Sequence, residues 1–350
     1  MKILIFSDIQ FNPWREFSEI LPNGRNSRFQ DQLNVLDEIF GYAAANDIEL
    51  VVHCGDLFET LSERIDKQVF LTVFDQFVKF SKGGGYATIL LVGNHDKIKK
   101  GDSDYTILTP FREIENVIVV DSPMTQVVDD ASLVFMPHMK KEFGLEVRNQ
   151  TREVKTKRRY LFSHQGVTGA TVGPRDEIMK DDYNVADFGI DFFDYVCNGH
   201  YHRPQTFGGG RFRIVGSPIQ RDFGERTDRK GFIILDTDTN KIEYVETKTP
   251  PRFFKVLGEE VPREYRQGKD FLWLVSKENT DVLRSKLATG GAHVRIDAAE
   301  KEIDTRTRSE LSISLPVEEQ LDGYIKWMKP ELDQKKLLEY GIDKYKRSSV

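Results

Sequence analysis

Two cysteines, Cys54 and Cys197, are all that the 350 residues contain, too few for a disulfide framework. Each stands in an apolar stretch just ahead of a polar motif. Both therefore read as reduced, buried thiols of a cytoplasmic protein rather than as ligands. Long apolar runs are missing too. None approaches the ~20 residues that a membrane-spanning helix needs, so no membrane partner is expected. The opening stretch Met1–Asp8 is short for a signal peptide and has no small-residue cleavage site, and it reads as a first buried strand. Nor is there an excess of basic charge. Fifty Lys and Arg stand against 56 Asp and Glu, a formal net charge of −6. That argues against a protein that coats nucleic acid by bulk charge. It leaves room for an enzyme that reaches DNA through bound cations and a local basic rim.

What is present describes a soluble globular chain, with 39% hydrophobic and 30% charged residues. The length fits one large α/β domain of ~250 residues and something smaller. The first half alternates apolar runs with helical periodicity. Strands are predicted at 2–7, 49–54 and 86–92, and helices at about 28–46 and 66–80. Each strand exits into polar residues: Asp8, then Gly55-Asp56, then Gly93-Asn94-His95-Asp96. This β-α-β-α-β order predicts a parallel sheet with its chemistry at the strand ends.

The second half carries short strands near 117–120, 125–128, 132–136, 160–163, 195–198, 204–207, 211–215, 231–236 and 241–246, and reads as a mixed, largely antiparallel sheet. Two of its strands again exit into polar residues, at His164 and at Gly199-His200-Tyr201-His202. Two sheets face to face with helices outside give a four-layer α-β-β-α sandwich. Pro250-Pro251 is the expected domain boundary. Residues 251–315 read as a small α/β unit, with a helix at 279–288 between strands at 270–276 and 293–297. Residues 316–350 form a helical tail, with Val317, Leu321, Tyr324, Ile325 and Met328 on one face and Leu332, Leu337, Leu338 and Tyr340 in a second piece. That tail either packs on its own domain or docks on a partner's helices. Basic residues gather at Lys140, Lys141, Arg148, Arg152, Lys155, Lys157, Arg158 and Arg159, either as a solvated face or as contacts to a phosphate backbone.

A lone Asp at a strand exit is usually a turn former, and a lone His is usually structural. His53 and His138 read that way, and His293 lies outside the large domain. Five strand exits all bearing ligand-type residues read instead as a two-metal site. Asp56 is the carboxylate suited to bridge both ions. Asp8 and His202 serve one ion, and Asn94, His164 and His200 serve the other. His95 is left to face substrate and to stabilise the transition state or protonate the leaving oxygen. Asp96 is the expected partner that orients His95.

The series Asp8, Gly55-Asp56, Gly93-Asn94-His95-Asp96, His164, Gly199-His200-Tyr201-His202 resembles the calcineurin-like metallophosphoesterases. More narrowly it resembles the SbcD family of DNA double-strand-break repair nucleases, which includes phage recombination endonuclease subunits. Gly55-Asp56-Leu57-Phe58-Glu59, the segment His164–Ala170, and Gly216–Glu225 followed by Lys230-Gly231-Phe232 carry the narrower likeness, over about residues 1–250. The resemblance implies a metallophosphoesterase sandwich with two manganese ions, or magnesium in their place. It implies 3′-to-5′ exonuclease activity on duplex DNA and endonuclease activity on single strands or hairpins. Its expected partners are DNA, a second copy in a homodimer, and an SbcC-like ATPase whose coiled coils the tail binds. Residues 251–315 become a capping domain. Lys97, Lys99, Lys100, Arg158 and Arg203 are the candidate DNA contacts. The chain departs from the family at Gln10, where the first motif has histidine, and Gln10 is carried as a ligand of weaker donor strength. Two other readings remain on the residues alone: a metallophosphatase of phosphoproteins or small phosphoesters, and a metal-poor scaffold.

Overall fold

Strand β1 (Lys2–Phe6) is buried on both faces and sets the layering. Side chains alternate across a strand. Ile3 and Ile5 face one apolar cluster while Leu4 and Phe6 face another. In the computed structural model, which describes residues 1–59, 65–98, 105–180, 182–258, 260–276, 293–298, 317–328 and 333–348, β1 is central to a six-stranded sheet. It pairs in parallel with β2 (Leu50–His53), which continues in parallel to β3 (Ala87–Leu91) and β4 (Val117–Val120). On its other side it pairs antiparallel with β13 (Gly231–Asp236), which carries β14 (Lys241–Glu246) at the edge.

Two helices cover the outer face. Helix α1 (Ser27–Ala45) starts at Asn26, whose side chain accepts from the Phe29 amide. Helix α2 (Lys67–Gly83) starts at Asp66, whose carboxylate accepts from the Gln68 and Val69 amides. Phe29, Leu33, Leu36, Ile39 and Phe40 of α1 and Val69, Val73 and Phe77 of α2 bury against Leu4, Phe6 and Val51. Phe40 stacks on Phe80 with centroids 4.2 Å apart.

The second sheet has the order β11-β12-β10-β7-β6-β5, built from β5 (Met124–Val128), β6 (Ala131–Met136), β7 (Arg158–Ser163), β10 (Tyr195–Asn198), β11 (Gln205–Phe207) and β12 (Phe212–Ile214). Leu133, Phe135, Tyr160 and Phe162 meet Ile3, Ile5 and Val52 of the first sheet in the layer between. The expected largely antiparallel second sheet is corrected. Its four central strands β6, β7, β10 and β12 are parallel, and only the edge strands β5 and β11 run antiparallel. Each edge strand is joined by a tight hairpin, which dominates the sequence pattern. Crossovers restore the parallel direction. One of them carries α3 (Phe143–Thr151), a helix hidden within the basic run, with Phe143 and Val147 buried on the outer face of this sheet. A short hairpin of β8 (Thr171–Val172) and β9 (Glu177–Ile178) lies in another. The four-layer sandwich is therefore as expected, with six strands in each sheet.

Pro250-Pro251 marks the passage to a third sheet of β15 (Phe253–Leu257), β16 (Phe271–Ser276) and β17 (Val294–Ala298). It does not mark a break in packing, because Met1–Asp297 form one compact unit. The joint is aromatic. Phe253 and Phe271 pack with Phe17 and Phe223, and the Arg28 guanidinium of α1 lies 4.8 Å from the Phe271 ring centre and 5.0 Å from that of Phe253. The expected helix at 279–288 lies outside the described residues. In the second unit, Ala298–Val350, helices α4 (Val317–Met328) and α5 (Gln334–Ser348) lie against each other, with Tyr324, Tyr340 and Tyr345 exposed. Leu332 lies outside the described residues. Among the described residues no helix is long and apolar enough to cross a membrane.

Candidate metal centre and active site

The strand ends of both sheets converge on one point, and the backbone there is bent to bring them in. Asp8, Gln10, Asp56 and His200 all have φ between 47° and 84°, a left-handed conformation that non-glycine residues adopt at a cost of about 1–3 kcal/mol. The bends are held by backbone bonds, Asp8 N–H to Gly55 C=O and Gln10 N–H to Asp56 C=O, both 3.1 Å. Gly93 leaves room for Asp56. A Cβ at Gly93 would stand 2.1 Å from Asp56 Oδ1 and 2.3 Å from its amide nitrogen. Gly93→Ala is therefore expected to displace Asp56 and reduce divalent-metal binding at least about tenfold, read by calorimetry with the fold checked by circular dichroism.

Asp56, Asn94, His164 and His200 form the tighter half. His164 Nε2 lies 3.2 Å from Asp56 Oδ2 and 3.1 Å from Asn94 Oδ1, and His200 Nδ1 lies 2.9 Å from the same Asn94 oxygen. Asp56, His164 and His200 each offer a ligand atom within 4.8 Å of the others. The proton inventory shows what this cluster wants. His164 Nδ1 faces the Cys54 carbonyl at 2.6 Å and must be its donor. In a neutral ring Nε2 is then an acceptor, yet it faces two acceptor oxygens. A positive charge reconciles them. Without a metal it is a proton. Burial disfavours the charged ring, but the Asp56 charge and hydrogen bond outweigh burial and push His164 up to about 9. Burial likewise tends to raise Asp56, but the histidine beside it holds its carboxyl well below the usual range. Two oxygens and two imidazole nitrogens around one point fit a divalent cation that would displace that proton.

The other half contains Asp8 and His202. Asp8 is fully buried, burial raises its carboxyl, and its Oδ1 finds no hydrogen-bond partner among the described residues. His202 Nε2 lies 4.0 Å from that orphaned oxygen. Glu225 Oε1 takes His202 Nδ1 at 3.1 Å and so turns Nε2 inward. Lys230 anchors Glu225 through Oε2 at 2.8 Å and bonds the His202 carbonyl at 2.9 Å. An unpaired buried carboxylate oxygen facing an imidazole nitrogen also fits a cation. Gln10, expected as a weak ligand, turns its amide nitrogen and not its oxygen toward the cluster. Its Oε1 accepts from the Arg221 guanidinium, and its Nε2 donates to Asp56 Oδ2 at 3.3 Å. Arginine can only donate, so the amide must turn its oxygen toward Arg221 and its nitrogen toward the cluster.

His95 stands beside Asp56, its amide donating to Asp56 Oδ1 at 2.8 Å. Its ring Nδ1 pairs with Glu59 Oε1 at 2.8 Å, and Nε2 lies 3.9 Å from Asp56 Oδ2. The expectation that Asp96 orients His95 is corrected. The buried Asp96 carboxylate accepts from the Asp56, Phe58 and Gly93 amides at 2.9, 3.0 and 3.0 Å. Asp96 thus ties two strand-end loops together, and Glu59 is the partner of the His95 ring. Glu59, Arg221 and Glu225 received no role from the sequence, although each lies in a stretch that carries the family likeness.

The remaining candidates are dispersed. Lys97 Nζ bonds the His138 carbonyl at 2.6 Å and so stays near the centre. Lys99 and Lys100 lie outside the described residues. Arg203 is held by Asp176 and by Asp228 at 2.7 Å. Arg158 pairs with Asp194 at 3.4 Å at the start of β7, a strand length of roughly 20 Å from His164 past its other end. His138 stacks on His200 at 6.2 Å, and burial pulls it down to about 4, a neutral ring in the wall of the site. His53 is buried against Phe6 at 4.7 Å.

Residues 1–204 match the sequence profile of the calcineurin-like phosphoesterase family. Among solved structures, an archaeal phosphodiesterase is 18% identical over 70% of this chain and 99% of its own, with a TM-score of 0.35. A dimetal phosphatase from Danio rerio is 10% identical over 67% of this chain and 91% of its own, with a TM-score of 0.38.

Proposed function

Because the chain belongs to the calcineurin-like phosphoesterase family, its chemistry is phosphoester hydrolysis, and we propose that its substrate is the phosphodiester backbone of DNA. The observation that carries this reading is a pair of clefts that meet at Arg221 and Asp222. One, of about 300 Å³, is lined by His200, His202 and Arg203. The other, of about 390 Å³, is lined by Trp14, Arg15 and Glu59. A site approached from two sides suits a polymer that enters and leaves. The likeness of the segments at 164–170 and 216–225 to the SbcD nucleases supports the same choice.

In this reading Asp56, Asn94, His164 and His200 hold one divalent cation, and Asp8, Asp56 and His202 hold the second. Manganese is the proposed metal, with magnesium as a substitute. The cations supply Lewis acidity toward the phosphate and activate the attacking water. The chain's own residues do the rest. His95, held through Nδ1 by Glu59, presents Nε2 to the phosphate and gives a proton to the leaving 3′ or 5′ oxygen. Asp96 keeps the loops of Asp56 and His95 in register. The chain acts as a homodimer with an SbcC-like ATPase. The exposed tyrosines of α4 and α5 suit contact with that partner's coiled coil.

The test is linear duplex DNA labelled at one 3′ end, incubated with the chain and manganese, magnesium or a chelator, beside a phosphomonoester. Manganese-dependent label release with little monoester turnover is the expected result. Monoester turnover without DNA loss would replace the nuclease with a phosphatase. Truncation after Leu315 is expected to leave metal-dependent cleavage intact and to abolish co-purification with the ATPase. A truncated chain that still carried the ATPase would move the interface off the tail.

A further inference from the structure

The pairing of Gln10 with Arg221 makes the two halves of the metal centre unlike each other. In the Asp56, Asn94, His164 and His200 half, two side-chain oxygens and two ring nitrogens, whose protons a cation would displace, gather around a common point. In the Asp8 and His202 half, the fourth direction is closed. Gln10 gives its carbonyl oxygen to Arg221 and turns an N–H toward Asp56. The amide therefore offers a proton where a ligand must offer an electron pair.

Arg221 is not a loose surface residue that happens to lean inward. Its Nε bonds Glu225 Oε1 at 3.2 Å, the same oxygen that orients His202. Its backbone amide bonds Glu225 Oε2 at 3.1 Å, and its carbonyl accepts from the buried Arg28 guanidinium at 2.8 Å. Glu225 is itself neutralised by Lys230 at 2.8 Å. The guanidinium thus has a fixed place, one hydrogen bond from Gln10 and one from the carboxylate behind His202. It is a permanent positive charge beside the position of the second cation.

We infer that the Gln10–Arg221 pair divides the centre into one tight and one weak metal position. The tight position is Asp56, Asn94, His164 and His200. The weak position is Asp8, Asp56 and His202, one ligand short and next to a guanidinium that repels a second cation. The resting protein carries one divalent ion per chain. The second joins when a phosphate, bound by Arg221 and by the first ion, brings the missing negative charge and oxygen ligand. Arg221 is then a positioning residue that couples filling of the second site to substrate, so that the complete hydrolytic centre exists only on a phosphoester.

The inference rests on the metallophosphoesterase reading and separates from it by counting metal. Apo protein of full length is titrated with manganese(II) chloride by calorimetry, and the 1:1 sample is examined by electron paramagnetic resonance. The expected result is one tight ion per chain, a second ion weaker by roughly 100-fold or more, and a mononuclear six-line signal. Adding a short phosphorothioate oligonucleotide that resists cleavage should tighten the second event at least about tenfold, the lower end of what a ligand-supporting contact contributes. The double variant Gln10→His with Arg221→Gln should bring the two affinities within about tenfold and give a spin-coupled pair signal without any oligonucleotide. Two ions of equal affinity in the unmodified chain would overturn the inference and leave the metallophosphoesterase reading standing. No manganese binding at all would overturn both. The unmodified chain alone decides between these outcomes, so the test survives a variant that fails to fold.

Discussion

His95→Asn is expected to slow DNA cleavage by ~10³-fold, within the range that a positioned acid–base group contributes, while manganese binding stays unchanged. The His95 amide holds Asp56 Oδ1 and the ring pairs with Glu59 through Nδ1, and asparagine keeps that backbone amide. Losing the ring should therefore cost catalysis and spare the metal. The leaving group makes the test specific. A nucleoside alkoxide leaves badly without a proton, whereas p-nitrophenolate is stable as an anion. If His95 delivers that proton, the same variant should lose about tenfold or less on bis-p-nitrophenyl phosphate, the acid–base contribution having little left to act on. An equal loss on both substrates would assign His95 to charge stabilisation instead. Glu59→Gln, which keeps the shape and removes the charge behind Nδ1, should fall between, with roughly tenfold slower DNA cleavage, as partners behind a working imidazole do.

The second large effect is on stability. Arg28→Ala is expected to lower the unfolding free energy by about 3–5 kcal/mol, because it strips a buried group of several functions at once. Arg28 is 1% exposed. Its guanidinium lies 4.9, 5.0 and 4.8 Å from the ring centres of Trp14, Phe253 and Phe271. It donates to the Glu16 carbonyl at 3.3 Å and to the Arg221 carbonyl at 2.8 Å. Burial lowers its pKa only to about 10, so it remains a cation at neutral pH. Alanine removes a desolvated cation–π contact of about 2 kcal/mol and leaves carbonyls without their donor at about 1–3 kcal/mol each. Those contributions overlap, hence the lower total. For a unit of this size the melting temperature should fall by roughly 6–20 °C. Limited proteolysis should then cut first between β14 and β16, where Arg28 binds the third sheet to the sandwich. Arg28→Lys should recover less than half of the loss, since a single ammonium cannot face three rings and two carbonyls together. A melting temperature within 2 °C of the unmodified chain would show that the aromatic joint holds without the cation, given a slope of about 2–4 °C per kcal/mol.

The parts of the centre that were legible are those written locally. Asp8, Asp56, Asn94, His164, His200 and His202 each follow an apolar strand, and strands of a sheet have to end somewhere common. The sandwich followed from the same alternation of strands and helices. What was not legible depends on distance along the chain. Gln10 meets Arg221 across 211 residues, and Arg28 meets the Arg221 carbonyl across 193. No periodicity links such positions, so Gln10 was assigned the part that histidine has in the family's first motif. Asp96 shows the other failure. Adjacency to His95 suggested a partner, but consecutive side chains in a bent loop point apart, and the carboxylate turned inward to three backbone amides. The parallel centre of the second sheet was masked by hairpins that are real but lie at its edges.

Strand β1 lies between a partner that follows it closely and one that comes very late. Its parallel neighbour β2 begins at Leu50, whereas Ile3 and Ile5 pair with Leu235 and Ile233 of β13. During synthesis, β1 to β4 can therefore assemble with α1 and α2 while one long side of β1 still exposes its amides and carbonyls. An unpaired apolar strand edge is a template for association with other chains. A ribosome that stalls anywhere between about residue 120 and residue 231 holds a half-sheet that can stick to its neighbours. The order of emergence thus places the aggregation hazard of this protein in its unfinished copies, and closure comes only when the strand from Gly231 to Asp236 arrives.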